Sequence, residues 1–163
     1  MSPLFQIVCA FSPRLWLALS FLAGAGAGLG FFTFTYAEGF SYFGGDPQTC
    51  ANCHIMRAEY DSWRKGPHHA AAGCGDCHLP ASLPAKLAAK ADNGRRHAQA
   101  FTLRNFHEPI QITPRNAEIL QENCLRCHGD FVHEIRWNGG AADEAKNVRC
   151  ARCHLATGHG APQ

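Results

Sequence analysis

Four copies of one short motif carry most of the reactive side chains in this sequence. In each copy two cysteines, separated by two residues, are followed directly by a histidine. The cysteines are Cys50, Cys53, Cys74, Cys77, Cys124, Cys127, Cys150 and Cys153, and the histidines are His54, His78, His128 and His154. Two thiols at this spacing form thioethers to a haem, and the next histidine can ligate its iron. The motifs therefore predict four covalently bound c-type haems.

Zinc is the main competing interpretation, because paired cysteines also build tetrahedral sulfur sites. Zinc does not need a histidine directly after every pair. With ten histidines in 163 residues, four such coincidences have a chance of about one in 10^5, which favours haem. A thioredoxin-like redox pair would accompany a βαβ pattern, which the sequence does not show.

Length and composition limit the fold. Residues 50–163 provide fewer than 30 residues for each of the four haems, which is too little polypeptide for an ordinary apolar core. We therefore predict a mainly α fold with much loop: one N-terminal transmembrane helix and a small tetrahaem domain whose core is the haems. The formal net charge of +2 argues against a nucleic-acid partner. Cys9 is left as a free thiol.

The N-terminal region predicts a membrane anchor. Residues 15–37 contain no charge, and as a helix they would span about 34 Å, which matches a bilayer. A cleaved signal peptide is the alternative, with residues 23–25 as the cleavage site. We favour a retained anchor that also contacts lipid, because the apolar run continues through Tyr36. Two overlapping G-x-x-x-G spacings, formed by Gly24, Gly26, Gly28 and Gly30, either support a homo-oligomer or merely face lipid.

Charges around this segment predict its orientation. Arg14 precedes it, whereas Glu38 and Asp46 follow it, so the positive-inside rule places the N-terminus in the cytoplasm. The predicted organisation is a cytoplasmic N-terminus at residues 1–14, an anchor at 15–37 and a periplasmic haem domain at 38–163. Such a chain would be a single-pass protein of the inner membrane.

Three helices are predicted around the motifs. One starts near Met56 and ends before Gly66, which precedes a proline. A second covers residues 81–91, where alanine and lysine are frequent, and Asn93 and Gly94 weaken or end it. A third, residues 117–123, is capped by Asn116 and delivers Cys124.

Six further histidines are available for the opposite faces of the irons. They are His68, His69, His97, His107, His133 and His159. We prefer His69, with His68 as the alternative. His159 and His133 each lie five residues after a motif histidine, so each would serve a neighbouring haem. Met56 either fills a gap in the packing or binds an iron through its thioether, which would raise the potential of that haem relative to ligation by two histidines.

Lys90, Asp92 and His97 form a candidate quinol site. Lys90 and His97 are two helical turns apart and share a face. Oxidation of a quinol releases two protons, for which Asp92 and His97 are candidate acceptors, while Lys90 would bind a ring oxygen. A solvated basic face, or lysines at lipid headgroups, is the alternative.

The anchor, the sequence CANCHIM and the three later motifs resemble the NapC/NirT family of quinol-oxidising multihaem cytochromes over residues 15–159. The short tetrahaem form is similar to the small subunits of cytochrome c nitrite reductases. The resemblance implies that the chain takes electrons from menaquinol and passes them to a large pentahaem cytochrome c nitrite reductase subunit. Alternatives are a donor to several periplasmic reductases, or a plain electron-transfer cytochrome without a quinol site.

The same resemblance implies roles for individual residues. Met56 rather than His54 would ligate haem 1, and Lys90 falls on the quinol-site lysine of the family. His97 stands where the family has an aspartate, with Asp92 five residues earlier. His69 and His159 match the distal ligands of haems 3 and 2. The distal ligand of haem 4 would be a lysine of the partner subunit, which leaves His107 and His133 without an iron.

Overall fold

The computed structural model describes residues 12–138 and 149–160, without the side chains of residues 133–138. The α-helices of this part are α1 Pro13–Tyr36, α2 Arg57–Lys65, α3 Cys74–His78, α4 Leu83–Leu103, α5 Pro114–Asn138 and α6 Cys150–Cys153. Short 3-10 helices cover Gly39–Phe43, Pro47–Asn52 and His54–Met56. The described residues contain no strand, so the prediction of a mainly helical fold is confirmed. The chain forms two compact units, Met1–Phe43 and Gly44–Gln163.

The first unit is built on α1. Ser12 caps the helix by accepting a hydrogen bond from the Leu15 amide at 3.4 Å, and Pro13 occupies its first turn, where a missing N–H costs nothing. No residue of α1 is buried. Its mean hydropathy of 1.7 over 18 residues makes it long and apolar enough to span a bilayer. The predicted anchor thus starts two residues earlier and ends one residue earlier than expected.

The second unit has very little apolar core of its own. Among the described residues, only Ala89 and Ile119 are buried apolar side chains, at 2% and 8% exposure. A domain of this size needs far more buried apolar surface to offset its conformational entropy. Its stability therefore depends on something besides the polypeptide.

Asn93 and Gly94 do not end the second helix, because α4 continues to Leu103; of the prediction that they weaken or end it, only the ending is wrong. The Asn93 side-chain oxygen accepts a hydrogen bond from the side-chain amide of Asn116, in α5, at 3.1 Å. This contact between two helices stabilises the turn of α4 that contains Asn93. Gly94 faces open space. A glycine there costs about 1 kcal/mol of helix propensity, which the tertiary contact offsets.

The third predicted helix is longer than expected at both ends. It begins at Pro114, so the prediction that Asn116 caps it is wrong, and α5 does not stop before Cys124 but runs through the whole third motif. Asn123 explains how α5 positions the second motif. Its side chain is 7% exposed and donates to the carbonyl oxygens of Cys77 and Leu79 at 2.8 and 2.9 Å. One amide therefore holds the end of α3 against α5.

We expect Asn123→Ala to lower the free energy of unfolding by about 2 kcal/mol, because two part-buried carbonyl oxygens would lose their donor. Thermal unfolding of the haem-loaded full chain in detergent measures this change. Glu122→Ala, an exposed neighbour on the same helix, is the matched control and should change stability by less than about 0.5 kcal/mol. Equal effects of the two substitutions would show that the amide does not pin α3.

Candidate haem and quinol sites

The four motifs lie beside one another in sequence order. The Cys50 and Cys74 thiols share a hydrogen bond, which lowers the pKa of Cys50 to about 7 and raises that of Cys74. Burial raises the pKa of Cys124, and the adjacent Cys150 and Cys77 thiols raise it further. Thiols of the first and second, second and third, and third and fourth motifs are thus neighbours. This order suits stepwise electron transfer along the chain.

His78 of the second motif faces His159. Their ring centroids are 5.9 Å apart and their planes are inclined by 33°. The Nδ1 atom of His159 lies 3.0 Å from the Glu59 carbonyl oxygen, which only accepts, so Nδ1 carries the proton and Nε2 keeps its lone pair. Burial lowers the pKa of His78, and nearby His159 lowers it further, which favours the neutral, ligating form.

His128 of the third motif faces His68 rather than His69. The His68 and His128 centroids are 6.0 Å apart with perpendicular planes. His68 Nδ1 donates to the Thr157 carbonyl oxygen at 2.9 Å, which again leaves Nε2 as the ligating atom. His69 is exposed and packs edge-on against Trp63 at 5.4 Å. The turn after α2 thus brings His68 to the third motif, whereas the prediction of His69 as the ligand stays a prediction.

Both histidine pairs fit an iron between them. A metal–imidazole bond is about 2 Å long and the ring centre lies about 1 Å beyond the nitrogen, so two ligands on opposite sides have centroids about 6 Å apart. The motif thiols are exposed or only half-buried, so they are accessible for thioether formation. The residues present fit haem c.

The first motif lies on two 3-10 helices. Asp46 caps the first of them by accepting from the Gln48 amide at 2.9 Å. His54 is exposed and Met56 is half-buried, so both remain candidates for the first iron.

Gln121 of α5 positions the fourth motif through hydrogen bonds to Cys150. This role of Gln121 was not predicted from the sequence. Its side chain accepts from the Cys150 amide at 3.0 Å and donates to the Cys150 sulfur at 3.4 Å. Arg149 pairs with Glu118, also of α5. The motif histidine, His154, is exposed.

Other candidates lie elsewhere. His107 is exposed. The His133 side chain and Cys9 fall outside the described residues.

The structure brings Lys90 to the first motif. Its Nζ atom donates to the Gly44 carbonyl oxygen at 2.6 Å, and its charge adds to the effects that lower the pKa of Cys50. His97 lies two turns further along α4 and is exposed.

Asp92 has different surroundings. The Arg95 hydrogen bond lowers its pKa, and the charges of Arg96 and Arg115 lower it further. Its oxygens are 3.0–3.2 Å from the three arginines. Arg115 belongs to α5, so this cluster also links two helices. The carboxylate is therefore held ionised.

Comparisons with known proteins identify the family of this chain. Residues 12–163 match the family model described as the NapC/NirT cytochrome c family, N-terminal region. The cytochrome c-type protein NrfH of Wolinella succinogenes is 32% identical over 131 residues, covering 76% of this chain and 74% of the relative. The cytochrome c nitrite reductase subunit NrfH of Nitratidesulfovibrio vulgaris is 35% identical over 125 residues, covering 77% and 74%.

A solved structure is also similar. It is the crystal structure of a cytochrome c nitrite reductase NrfHA complex bound to the HQNO inhibitor, with a TM-score of 0.58 and 30% identity, covering 82% of this chain and 87% of that one. With α1 as an apolar span and c-type motifs that fit haem, the features agree with a membrane-anchored cytochrome that carries haem c. The chain belongs to the NapC/NirT cytochrome c family.

Proposed function

We propose that this chain is a membrane-anchored quinol dehydrogenase that oxidises menaquinol and passes the electrons through four haems to a pentahaem nitrite reductase, which reduces nitrite to ammonia. The similar solved structure, an NrfHA nitrite reductase complex with an inhibitor bound, supports such a partner. The observation that carries the quinol site is the position of Lys90 beside the first motif.

Lys90 is suited to bind a quinol oxygen. An ammonium group is a strong hydrogen-bond donor, and the Gly44 carbonyl holds it where the first motif begins. Each haem, when bound, supplies a one-electron acceptor. A quinol gives up two electrons and two protons, so electrons leave singly while the protons pass to the protein or to water. Lys90 orients the ring for this step.

Of the two candidate proton acceptors, His97 is the better suited. Asp92 has a lowered pKa and is bound to arginines, so it holds a proton poorly at neutral pH. We infer that Asp92 holds these arginines in an ion-pair cluster that links α4 and α5, and that His97, on the same face of α4 as Lys90, takes a proton from the quinol.

The histidine pairs define the proposed ligands. His78 with His159, and His128 with His68, would hold the second and third haems, because each pair of rings lies about 6 Å apart. His154 would ligate the fourth haem, and Met56, or alternatively His54, the first. Successive motifs are neighbours, so bound haems would provide a one-electron path from the first motif to the fourth.

The orientation proposed for the anchor follows from charge. Arg14 lies at the start of α1, whereas Glu38 follows its end. The positive-inside rule then places the N-terminus in the cytoplasm and the haem domain in the periplasm, on the outer face of the inner membrane. Menaquinol in the bilayer would meet the first motif, which is the motif nearest to α1 in the sequence.

Coexpression with a pentahaem nitrite reductase tests the function. We expect the two to copurify and vesicles containing both to form ammonia from nitrite with a menaquinol analogue as donor, in a reaction that HQNO inhibits. Haem reduction by the quinol without a stable partner would instead indicate a donor to several reductases. No reduction by the quinol would indicate a plain electron-transfer cytochrome.

A further inference from the structure

Two segments far apart in the sequence, residues 57–69 and 157–160, are joined by reciprocal hydrogen bonds. A histidine of each segment donates to a backbone carbonyl oxygen of the other. His68, after α2, donates to the Thr157 carbonyl oxygen at 2.9 Å. His159 donates back to the carbonyl oxygen of Glu59, on α2, at 3.0 Å. The Gly160 amide also donates to the Ser62 hydroxyl. The two histidines that face motif histidines are therefore oriented by one shared set of contacts.

The two histidines nevertheless differ in the charge beside Nδ1. The acceptor at His68 is a neutral carbonyl. At His159 the Glu59 carboxylate also lies 3.2 Å from Nδ1, so one N–H is shared between a carbonyl and a carboxylate of the same residue. Both side chains are about one-third exposed, at 34% for His159 and 39% for Glu59. The charge is therefore partly, but not fully, screened by water.

We propose that Glu59 is a positioning residue that lowers the reduction potential of the haem of the second motif relative to that of the third. The proposal rests on the ligation of that haem by His159 given above. A carboxylate that accepts the Nδ1 proton makes an imidazole a stronger electron donor through Nε2. A more donating ligand stabilises the oxidised iron, and a nearby negative charge acts in the same direction. Thr157 provides no such charge to His68.

The alternative is that Glu59 is an ordinary surface ion pair. Exposed pairs contribute little to stability, and a purely structural role would alter unfolding but not a potential. The potential of one haem, compared with that of the next, therefore separates the two roles.

The test is a redox titration of the haem-loaded full chain in detergent, followed by electron paramagnetic resonance of the low-spin ferric signals. His159→Ala and His68→Ala assign their two signals by loss. Glu59→Gln removes the charge but keeps the backbone acceptor. We expect it to preserve the signal assigned by His159→Ala and to raise the equilibrium constant for reduction of that haem three- to tenfold, where tenfold is 59 mV for one electron. The signal assigned by His68→Ala should not shift.

Two further variants serve as controls. Asp61→Asn removes the same charge from an exposed position of the same helix and should leave both potentials unchanged. Glu59→Asp keeps the charge and should shift the equilibrium less than Glu59→Gln. The proposal is overturned if Glu59→Gln causes no shift, or a shift equal to that of Asp61→Asn, while His159→Ala still removes a signal. If His159→Ala removes no signal, the proposed ligation is wrong and this inference fails with it.

Discussion

Lys90→Ala is expected to lower the rate of haem reduction by a menaquinol analogue at least about a hundredfold, the usual effect of losing one preorganised charged donor at a reacting oxygen. The Lys90 ammonium group donates a hydrogen bond to the Gly44 carbonyl oxygen at 2.6 Å. Its positive charge also lowers the pKa of Cys50 in the first motif. Removal of the side chain takes away the group that orients the quinol beside its electron acceptor. Stopped-flow absorbance of the Soret band measures the rate.

Lys86→Ala is the matched control, since Lys86 lies one turn earlier on α4 and is a cation of the same kind. Its rate should stay within about twofold of the unaltered chain. Dithionite, which needs no quinol site, should reduce every haem of the Lys90→Ala protein at the normal rate, and its haem content should be unchanged. Unaltered quinol oxidation by Lys90→Ala would remove the lysine from the site.

The elements that a sequence predicts well here are those with strong local signals. An uncharged run of 23 residues fixes α1 to within two residues, and Gly66 ends α2 as expected. The error at α4 has a physical cause. Asn93 is a weak helix former in isolation, and its hydrogen bond with Asn116 of another helix stabilises it. Local propensity does not contain that contact.

The residues of the candidate site likewise fall into two groups: those predictable from local sequence and those that depend on contacts between distant segments. The motif spacing predicts the thiols and motif histidines, and Lys90 is a candidate both from its position on a predicted helix and from a family resemblance. The partners that orient the ligands are not predictable in this way, because Glu59 and His159 are 100 residues apart. Their carbonyl, amide and carboxylate contacts leave no periodic pattern. Asn123 likewise has no distinguishing feature in the sequence. Its role is visible only in the structure, where its side chain donates to the Cys77 carbonyl oxygen of α3.

The choice between His68 and His69 gives the second large effect. We expect His68→Ala to remove one low-spin ferric signal completely and to leave that haem high-spin, because its iron would keep only the motif histidine as a strong ligand. The reason is the placement of the His68 ring 6.0 Å from that of His128, with Nδ1 already bonded to Thr157. Absorbance and electron paramagnetic resonance of the oxidised full chain measure the change.

His69→Ala is the natural control, because the two histidines are adjacent and have the same chemistry. His69 is exposed and packs on Trp63, so its loss should leave every low-spin signal in place and cost at most a small amount of stability. The opposite result, with the signal lost in His69→Ala and kept in His68→Ala, would restore the ligand expected from the resemblance. It would also mean that the turn after α2 rearranges when haem binds, because only a rotation of that turn could exchange the two side chains.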